Sequence, residues 1–155
     1  MIRGIHHVAV NTADLDRLYD FYVNVIGFQP TIEEFRWRDN AAVDRMIGLE
    51  HSAARTRMLK AGNCYFELFE YSAPAARAAR PLRPCDHGYT HFSLDVTDIL
   101  VEHARLVAAG MEFFDEQVGG GGELLALYGK DPDGNIIEIQ QTAPEHGFSM
   151  ARLGL

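Results

Sequence analysis

The sequence contains an internal repeat, and this feature limits the possible folds more than any other. A shift of 84 positions aligns His7 with His91, and the same shift aligns Asp14 with Asp98. Each half then has the pattern of a strand, a helix that begins after an aspartate or threonine, and further strands. Two related supersecondary units therefore account for most of the chain.

The repeat also predicts the domain boundaries. We predict a first module at residues 1–71 and a second module at residues 89–142. Residues 72–88 are rich in Ala, Arg and Pro, and their prolines interrupt regular structure, so we predict a linker there. Residues 143–155 form a tail after the last predicted strand.

Three segments are harder to interpret. Residues 28–35 predict a further strand of the first module. Residues 36–50, which have no counterpart in the second half, have no clear assignment. Four consecutive glycines at residues 119–122 predict a flexible hairpin loop, with a mobile lid as the alternative.

The first and last strands of each module carry the residues with the most informative chemistry. Each of these strands has an apolar face, and the opposite face carries a histidine in the first strand and a glutamate in the last. These residues are His7 and Glu67 in the first module and His91 and Glu138 in the second. The amphipathic helices are the available cover for the apolar faces, so we expect the His and Glu faces to point away from the helices.

A predicted turn precedes the last of these strands. Pro132 fixes φ, Gly134 tolerates a positive φ, and the aspartates at 131 and 133 can bond their own backbone. The strand that follows places Glu138 on the same face as Ile136, in a partly dry environment. A carboxylate in such a place is costly unless it is neutral, hydrogen-bonded or bound to a metal ion.

Together the four residues predict a metal centre. Imidazole nitrogen and carboxylate oxygen suit divalent Zn, Ni, Mn, Co or Fe. A single histidine or glutamate on a strand is usually structural, but these four fall at corresponding points of a repeat and are not independent. Such a centre would polarise a chelated substrate oxygen and stabilise an enolate or enediolate, and a displaced glutamate would accept the proton. Glu67 and Glu138 are thus the candidate catalytic residues.

The charge of the chain indicates which partners to expect. The formal net charge of −8 at pH 7 repels nucleic acid phosphates and anionic membrane surfaces, so we expect a small-molecule substrate, no nucleic acid and no membrane. Because the sequence has neither a long apolar run nor a secretory pattern, we expect a cytoplasmic location.

Four groups of segments combine these features with the strand and turn patterns around them. They are Ile5-His6-His7-Val8-Ala9-Val10 with the helix ending Ile26-Gly27-Phe28, then Tyr65-Phe66-Glu67-Leu68-Phe69, then His91-Phe92-Ser93-Leu94-Asp95-Val96-Thr97-Asp98, and finally Asp131-Pro132-Asp133-Gly134-Asn135-Ile136-Ile137-Glu138. Together they resemble the vicinal oxygen chelate superfamily, which includes glyoxalase I, methylmalonyl-CoA epimerase, extradiol dioxygenases and the bleomycin and fosfomycin resistance proteins. The resemblance covers about residues 2–140. It implies an α+β fold of paired βαβββ modules that form a cupped mixed sheet with helices on the outer face. It also implies one divalent metal ion on His7, Glu67, His91 and Glu138, and a homodimer.

Glu67 decides which reaction the resemblance implies. In the glyoxalase and epimerase branch all four positions bind metal, whereas extradiol dioxygenases use two histidines and one carboxylate and leave the position of Glu67 without a ligand. We therefore expect a metal-dependent lyase or isomerase. The alternatives are an extradiol-type iron dioxygenase and a metal-free protein that binds a small molecule such as an antibiotic.

The predicted substrate contacts lie in the segment found only in the first half, beside Glu67 on its strand, and before the turn at Asp131. An arginine in the segment found only in the first half would hold a carboxylate or phosphate, and aromatic residues would line the pocket. A surface strand and ordinary packing are the alternative explanations of the same residues. The predicted contacts are Arg36, Trp37, Arg38, Tyr65, Phe69 and Tyr128.

Overall fold

The computed structural model describes residues 1–77 and 80–154, and the chain divides into two compact units, Met1–Ala79 and Arg80–Leu155. Each unit has its own five-stranded mixed sheet. Parts of the predicted linker and of the predicted C-terminal tail lie outside the described residues. Within the described ranges, no helix is both long enough and apolar enough to cross a membrane.

The first unit builds its sheet in the order β1-β5-β4-β2, and β3 also pairs with β4. β1 runs parallel to β5, whereas all other pairs are antiparallel. The elements are β1 (His7–Asn11), α1 (Leu15–Asp20) continued by a π-helical segment (Phe21–Ile26), β2 (Gln29–Pro30), β3 (Phe35–Arg38), α2 (Ala41–Ile47), β4 (Ala53–Ala61) and β5 (Cys64–Ala73).

The second unit repeats this arrangement. Its sheet has the order β6-β10-β9-β7, with β8 also paired to β9, and β6 runs parallel to β10. The elements are β6 (His91–Asp95), α3 (Ile99–Ala108), β7 (Glu112–Phe113), β8 (Gly119–Gly121), β9 (Leu124–Lys130), β10 (Ile136–Thr142) and a short 3-10 helix (Met150–Leu153). The α+β class and the paired βαβββ modules are therefore confirmed.

Both repeated helices begin at the aspartate rather than at the threonine, the two caps that the sequence allows. The carboxylate of Asp14 accepts a hydrogen bond from the backbone N–H of Arg17 at 3.1 Å, and that of Asp98 accepts one from Val101 at the same distance. These bonds satisfy backbone donors that the first turn of a helix leaves without partners. The first helix ends at Gly27, whose φ of 95° is accessible to glycine at little cost.

The helices cover the apolar faces of the sheets, as expected. In the first unit the rings of Tyr22 and Phe66 lie 4.5 Å apart, and both residues are buried. In the second unit Leu106 of α3 and Ile137 and Ile139 of β10 are buried as well. Burial of such side chains contributes about 1.5–3 kcal/mol each and holds each helix on its sheet.

Two of the less certain predictions are wrong in part. In residues 28–35 only Gln29–Pro30 and Phe35 belong to strands, and Glu34 between them instead forms ion pairs with arginines. The glycines at 119–122 are not simply a loop, because Gly119–Gly121 forms β8 and pairs with β9. Backbone hydrogen bonds need no side chain, so a glycine run can still form a short edge strand.

Glu70 connects the first helix to the sheet. Its Oε2 accepts a hydrogen bond from the backbone N–H of Leu15 at 2.7 Å and another from Nη2 of Arg55 at 2.8 Å. In the second unit Gln141 accepts the corresponding bond from Ile99 at 2.9 Å. The hydrogen bond from Arg55 is the largest cause of a lowered pKa of Glu70, although burial acts in the opposite direction.

This arrangement predicts a pH dependence of stability. Because the pKa of folded Glu70 lies below its ordinary value of 4.5, its charge stabilises the fold above that value, and the effect is lost as the pH falls through the folded pKa. Glu70→Gln keeps an oxygen for Leu15 but loses the ion pair. We expect its free energy of unfolding to fall by about 1 kcal/mol near neutral pH and to vary less with pH in acid. Urea unfolding measures both.

The exposed Glu116 provides the control for this experiment. Glu116→Gln should leave both the free energy of unfolding near neutral pH and its acid dependence unchanged. If Glu70→Gln loses stability in acid as steeply as Glu116→Gln and the unsubstituted protein, the role assigned to Glu70 is wrong.

Candidate functional site

The first unit places a histidine and a glutamate side by side on one face of its sheet. In the parallel pairing of β1 and β5, His7 lies opposite Tyr65 and Ala9 lies opposite Glu67. His7 Nε2 and Glu67 Oε2 are 3.4 Å apart, and the side chains are 41% and 17% exposed. Thr56 on β4 donates its hydroxyl to Glu67 Oε1 at 3.2 Å. One carboxylate oxygen thus faces the imidazole, and the other accepts a hydrogen bond.

The second unit repeats the pair at the corresponding positions. His91 Nε2 and Glu138 Oε2 are 3.5 Å apart, and the side chains are 31% and 14% exposed. Tyr128 lies opposite Glu138 on β9, and its ring meets that of His91 edge-on at 5.1 Å. Burial raises the pKa of Tyr128, and the charge of Glu138 and a hydrogen bond with it add to this.

The donor atoms fit a divalent metal ion. Each unit supplies one imidazole nitrogen and one carboxylate oxygen, partly buried but still accessible, and these donors suit Zn, Mn, Fe, Co and Ni. Among the described residues of either unit, no three His, Cys, Asp or Glu side chains form a group that would hold a metal ion. Each unit on its own therefore offers two ligands.

The turn before β10 is built around a buried aspartate. Asp131 is only 5% exposed, and its Oδ1 accepts hydrogen bonds from the backbone N–H groups of Asp133 at 2.9 Å and Asn135 at 2.8 Å. Its Oδ2 accepts a third bond, from Nδ2 of Asn135 at 2.8 Å. Gly134 has a φ of 84°, as the sequence predicts for this turn. The turn fixes the start of the strand that carries Glu138.

The structure divides the predicted group of Arg36, Trp37 and Arg38. Trp37 lies opposite Ala54 on β4, and strand alternation places it on the face that carries Glu67. The two arginines point to the opposite face, where the Nε of Arg36 donates to Glu34 at 2.5 Å. Trp37 therefore shares a face with Glu67, whereas the two arginines lie on the opposite face, and a substrate contact of any of the three stays a prediction.

An ion-pair network occupies the arginine face. Arg55 contacts Asp16 at 2.9 Å, Glu70 at 2.8 Å and Glu34 at 3.7 Å. Arg57 contacts Asp16 at 2.7 Å and Glu34 at 2.9 Å. These arginines therefore already have carboxylate partners beside α1.

The aromatic residues predicted as substrate contacts lie beside the two His–Glu pairs. Tyr65 and Phe69 flank Glu67 on its own face of β5, and Tyr65 is 39% exposed. Tyr128 lies opposite Glu138 on β9, with its ring against that of His91. The contact of Tyr128 with a substrate oxygen stays a prediction.

The sequence analysis did not identify Tyr71, which lies on this face, or the hydrogen bonds that hold Trp37 in place. Tyr71 follows Glu67 by four positions, so strand alternation alone would have included it. Its ring lies 5.7 Å from that of Trp37. The indole N–H of Trp37 donates to the hydroxyl of Ser52 at 2.7 Å, and Ser52 in turn donates to Asp44 of α2. These polar contacts join β3, α2 and the residue before β4, and no local pattern indicates them.

Comparison with known proteins identifies the family. The model of the Glyoxalase/Bleomycin resistance protein/Dioxygenase superfamily matches residues 4–139. A 2-epi-5-epi-valiolone epimerase from an Actinomyces species is 34% identical over 98 residues. That alignment covers 62% of this chain and 53% of the epimerase, so the chain spans about half the length of this relative.

Solved structures have the same fold at lower sequence identity. A glyoxalase family protein from Bacillus cereus aligns with a TM-score of 0.79 at 21% identity, over 92% of this chain and 95% of that one. A mutant of the fosfomycin resistance protein FosX from Listeria monocytogenes, complexed with Mn(II) and 1S,2S-dihydroxypropylphosphonic acid, aligns with a TM-score of 0.59 at 17% identity, over 94% and 97% of the two chains. With the family match over most of its length, the chain belongs to the glyoxalase/bleomycin resistance protein/dioxygenase superfamily.

Proposed function

We propose that this protein is a metal-dependent lyase or isomerase of the glyoxalase and epimerase type that acts on a small molecule. The ligands of one divalent ion, Zn, Ni, Mn, Co or Fe, are His7, Glu67, His91 and Glu138. One observation carries the proposal: the same His–Glu pair occurs on both sheets, with nitrogen–oxygen distances of 3.4 Å and 3.5 Å. If the two pairs were unrelated, nothing would place both of them on corresponding strands, on the corresponding face of each sheet and at nearly the same nitrogen–oxygen distance.

The choice of reaction rests on Glu67 and on the relatives. Glu67 is only 17% exposed and accepts a hydrogen bond from Thr56, so its carboxylate is held in place beside His7. A fixed carboxylate at this position agrees with a four-ligand centre. The relative with 34% identity is a 2-epi-5-epi-valiolone epimerase, which supports the isomerase class. The FosX structure contains Mn(II), which is a divalent ion of the expected kind.

In such a reaction, different residues of the chain would bind the metal ion, transfer the proton and surround the substrate. A divalent ion, when bound, polarises substrate oxygens and makes a neighbouring C–H more acidic. One of the two glutamates accepts the proton from that carbon and returns it. Thr56 orients Glu67 through its hydrogen bond, and Tyr128 lies opposite Glu138 and packs against His91. Trp37, Tyr65 and Phe69 lie on the Glu67 face, where they exclude water from the substrate.

The first test is the metal content of the purified protein, measured by elemental analysis. We expect about one divalent ion per chain and a loss of most of it in His7→Ala and His91→Ala, because each removes one of four ligands. His51→Ala is the matched control, since the side chain of His51 is 88% exposed and contacts Asp39 instead. Its metal content should equal that of the unsubstituted protein.

The outcomes separate the three candidate functions. If neither His7→Ala nor His91→Ala lowers the metal content, the metal-dependent function is wrong and a metal-free binding protein takes its place. If His91→Ala removes the metal but Glu67→Ala does not, the centre has three ligands and resembles that of an iron dioxygenase. The homodimer and the cytoplasmic location stay predictions, and light scattering tests the first of them.

A further inference from the structure

Four aromatic side chains form a continuous surface on the first sheet, which we call the aromatic wall. Trp37 is its centre, with ring centroids 5.9 Å from Phe35, 6.1 Å from Phe69 and 5.7 Å from Tyr71. Phe69 and Tyr71 are themselves 5.7 Å apart. The wall is not a closed core, because Phe35 is 52% exposed.

The aromatic wall adjoins Glu67. Phe69 is the next residue on the same face of β5, and Thr56 links the two, since it lies opposite Phe69 and donates to Glu67. Tyr71 follows Phe69 on this face. Burial raises the pKa of Tyr71 and the charge of Glu67 adds to it, in agreement with their common face. A molecule that reached Glu67 would therefore have the wall beside it.

The centre of the wall is held in a fixed orientation. The indole N–H of Trp37 donates to the hydroxyl of Ser52, which is fully buried. The carboxylate of Asp44 accepts hydrogen bonds from both the hydroxyl and the backbone N–H of Ser52. Because α2, which contains Asp44, is found only in the first unit, this support is specific to one half of the repeat. A ring fixed before binding loses little conformational entropy when a ligand stacks on it.

The residues next to the wall are mostly uncharged, which suits an uncharged ligand. The residues opposite Phe69 and Tyr71 on β4 are Thr56 and Ala54, which are uncharged. Arg36 points to the other face of β3, and Arg55 and Arg57 there pair with carboxylates. On this face of β4 the cation is Lys60, which lies opposite Tyr65, on the side of Glu67 away from the wall.

We propose that the aromatic wall binds a planar, uncharged aryl group of the substrate, while the oxygens of the substrate reach the metal ligands. This assignment rests on the proposed function and adds the substrate class to it. Offset or edge-on contacts with Trp37 and Phe69 hold the ring, and the exposed edge of Phe35 completes the contact. A phosphate in place of the aryl group would find no cation opposite Phe69 or Tyr71 on β4.

Two small chelators test the proposal on the zinc-loaded protein. Acetohydroxamate and benzohydroxamate bind a metal ion through the same pair of oxygens and differ only in a methyl or a phenyl group. We expect benzohydroxamate to bind about tenfold more tightly or better, as burial of a phenyl group on the wall predicts. Calorimetry measures both affinities. Quenching of Trp37, the single tryptophan of the chain, reports contact with the wall.

Substitutions test whether the phenyl group of benzohydroxamate binds at the aromatic wall. Phe35→Ala and Trp37→Leu should lower the affinity for benzohydroxamate severalfold and leave that for acetohydroxamate unchanged. Phe148→Ala is the control, because Phe148 is also a half-exposed phenylalanine but lies in the other unit. Phe35 is exposed enough for its removal to spare the fold, so this variant is informative even if Trp37→Leu fails to fold.

The results distinguish a failure of the aryl assignment from a failure of the metal centre. If neither chelator binds, the metal-dependent function itself is wrong. If both bind equally, or if the monohydroxamate of succinate binds more tightly than benzohydroxamate, the metal centre stands and the aryl assignment is wrong. If Phe35→Ala instead converts a dimer into monomers in light scattering, the wall is an interface with a second copy.

Discussion

If Glu67 is the base, its replacement by glutamine should slow deuterium exchange at a carbon next to a carbonyl by about two to four orders of magnitude. Glutamine has nearly the same shape as glutamate and keeps an oxygen for the hydroxyl of Thr56, but its amide cannot accept a proton at neutral pH. A suitable probe is 2-hydroxyacetophenone, which has neighbouring oxygens, an exchangeable C–H and an aryl group. Proton NMR in D₂O follows the loss of the C–H signal.

Glu138→Gln is the paired experiment, because the repeat leaves open which carboxylate accepts the proton. Metal content is measured for both variants, so that loss of a ligand and loss of a base are distinguished. A variant that retains metal and loses exchange identifies the base. The exposed Glu116 provides the control, and Glu116→Gln should exchange at the unsubstituted rate. Normal exchange in both the Glu67 and Glu138 variants would contradict the proposed proton transfer.

The His–Glu pairs were predictable from the sequence because they depend on two simple periods. Alternation along a strand places His7 and Glu67 opposite the apolar residues, and the repeat identifies His91 and Glu138 as their counterparts. The turn at Asp131 was predictable for a similar reason, since its Pro, Gly and Asp residues each have a local conformational role. The predicted features that the structure reproduces are therefore those that depend on the local sequence or on the repeat.

The features that the sequence did not predict depend on contacts between distant segments. Glu70 and Gln141 both accept a bond from the first residue of a helix, yet nothing near either residue indicates this, because the bond depends on where the helix crosses the sheet. The support of Trp37 by Ser52 is of the same kind. By contrast, the sequence was sufficient to separate Trp37 from its two neighbouring arginines, because strand alternation places them on opposite faces of β3.

The second large effect is expected from Asp131→Ala, which should lower the free energy of unfolding by about 3 kcal/mol or more. The carboxylate is 5% exposed and accepts three hydrogen bonds, two of them from backbone N–H groups of the same turn. Alanine would leave those donors partly buried without their acceptor, and each unsatisfied donor costs about 1–3 kcal/mol. Urea unfolding measures the loss.

Asp115 offers a matched control for this substitution. Its carboxylate accepts a single backbone hydrogen bond, from Gln117 at 2.9 Å, at an exposed site. Asp115→Ala should therefore cost less than about 1 kcal/mol, because water replaces the lost acceptor. If the two variants lose a similar free energy of unfolding, burial does not explain the contribution of the hydrogen bonds to Asp131.

The same substitution also tests whether the turn positions the metal ligand. β10 begins at Ile136, directly after Asn135, which donates two of the three bonds to Asp131. If this turn fixes the strand, Asp131→Ala should increase amide hydrogen exchange along β10 and reduce the bound metal through Glu138, whereas Glu70→Gln should leave the metal content unchanged. A destabilised Asp131→Ala protein with full metal content would show that Glu138 holds its position through the pairing of β10 with β6 and β9 instead.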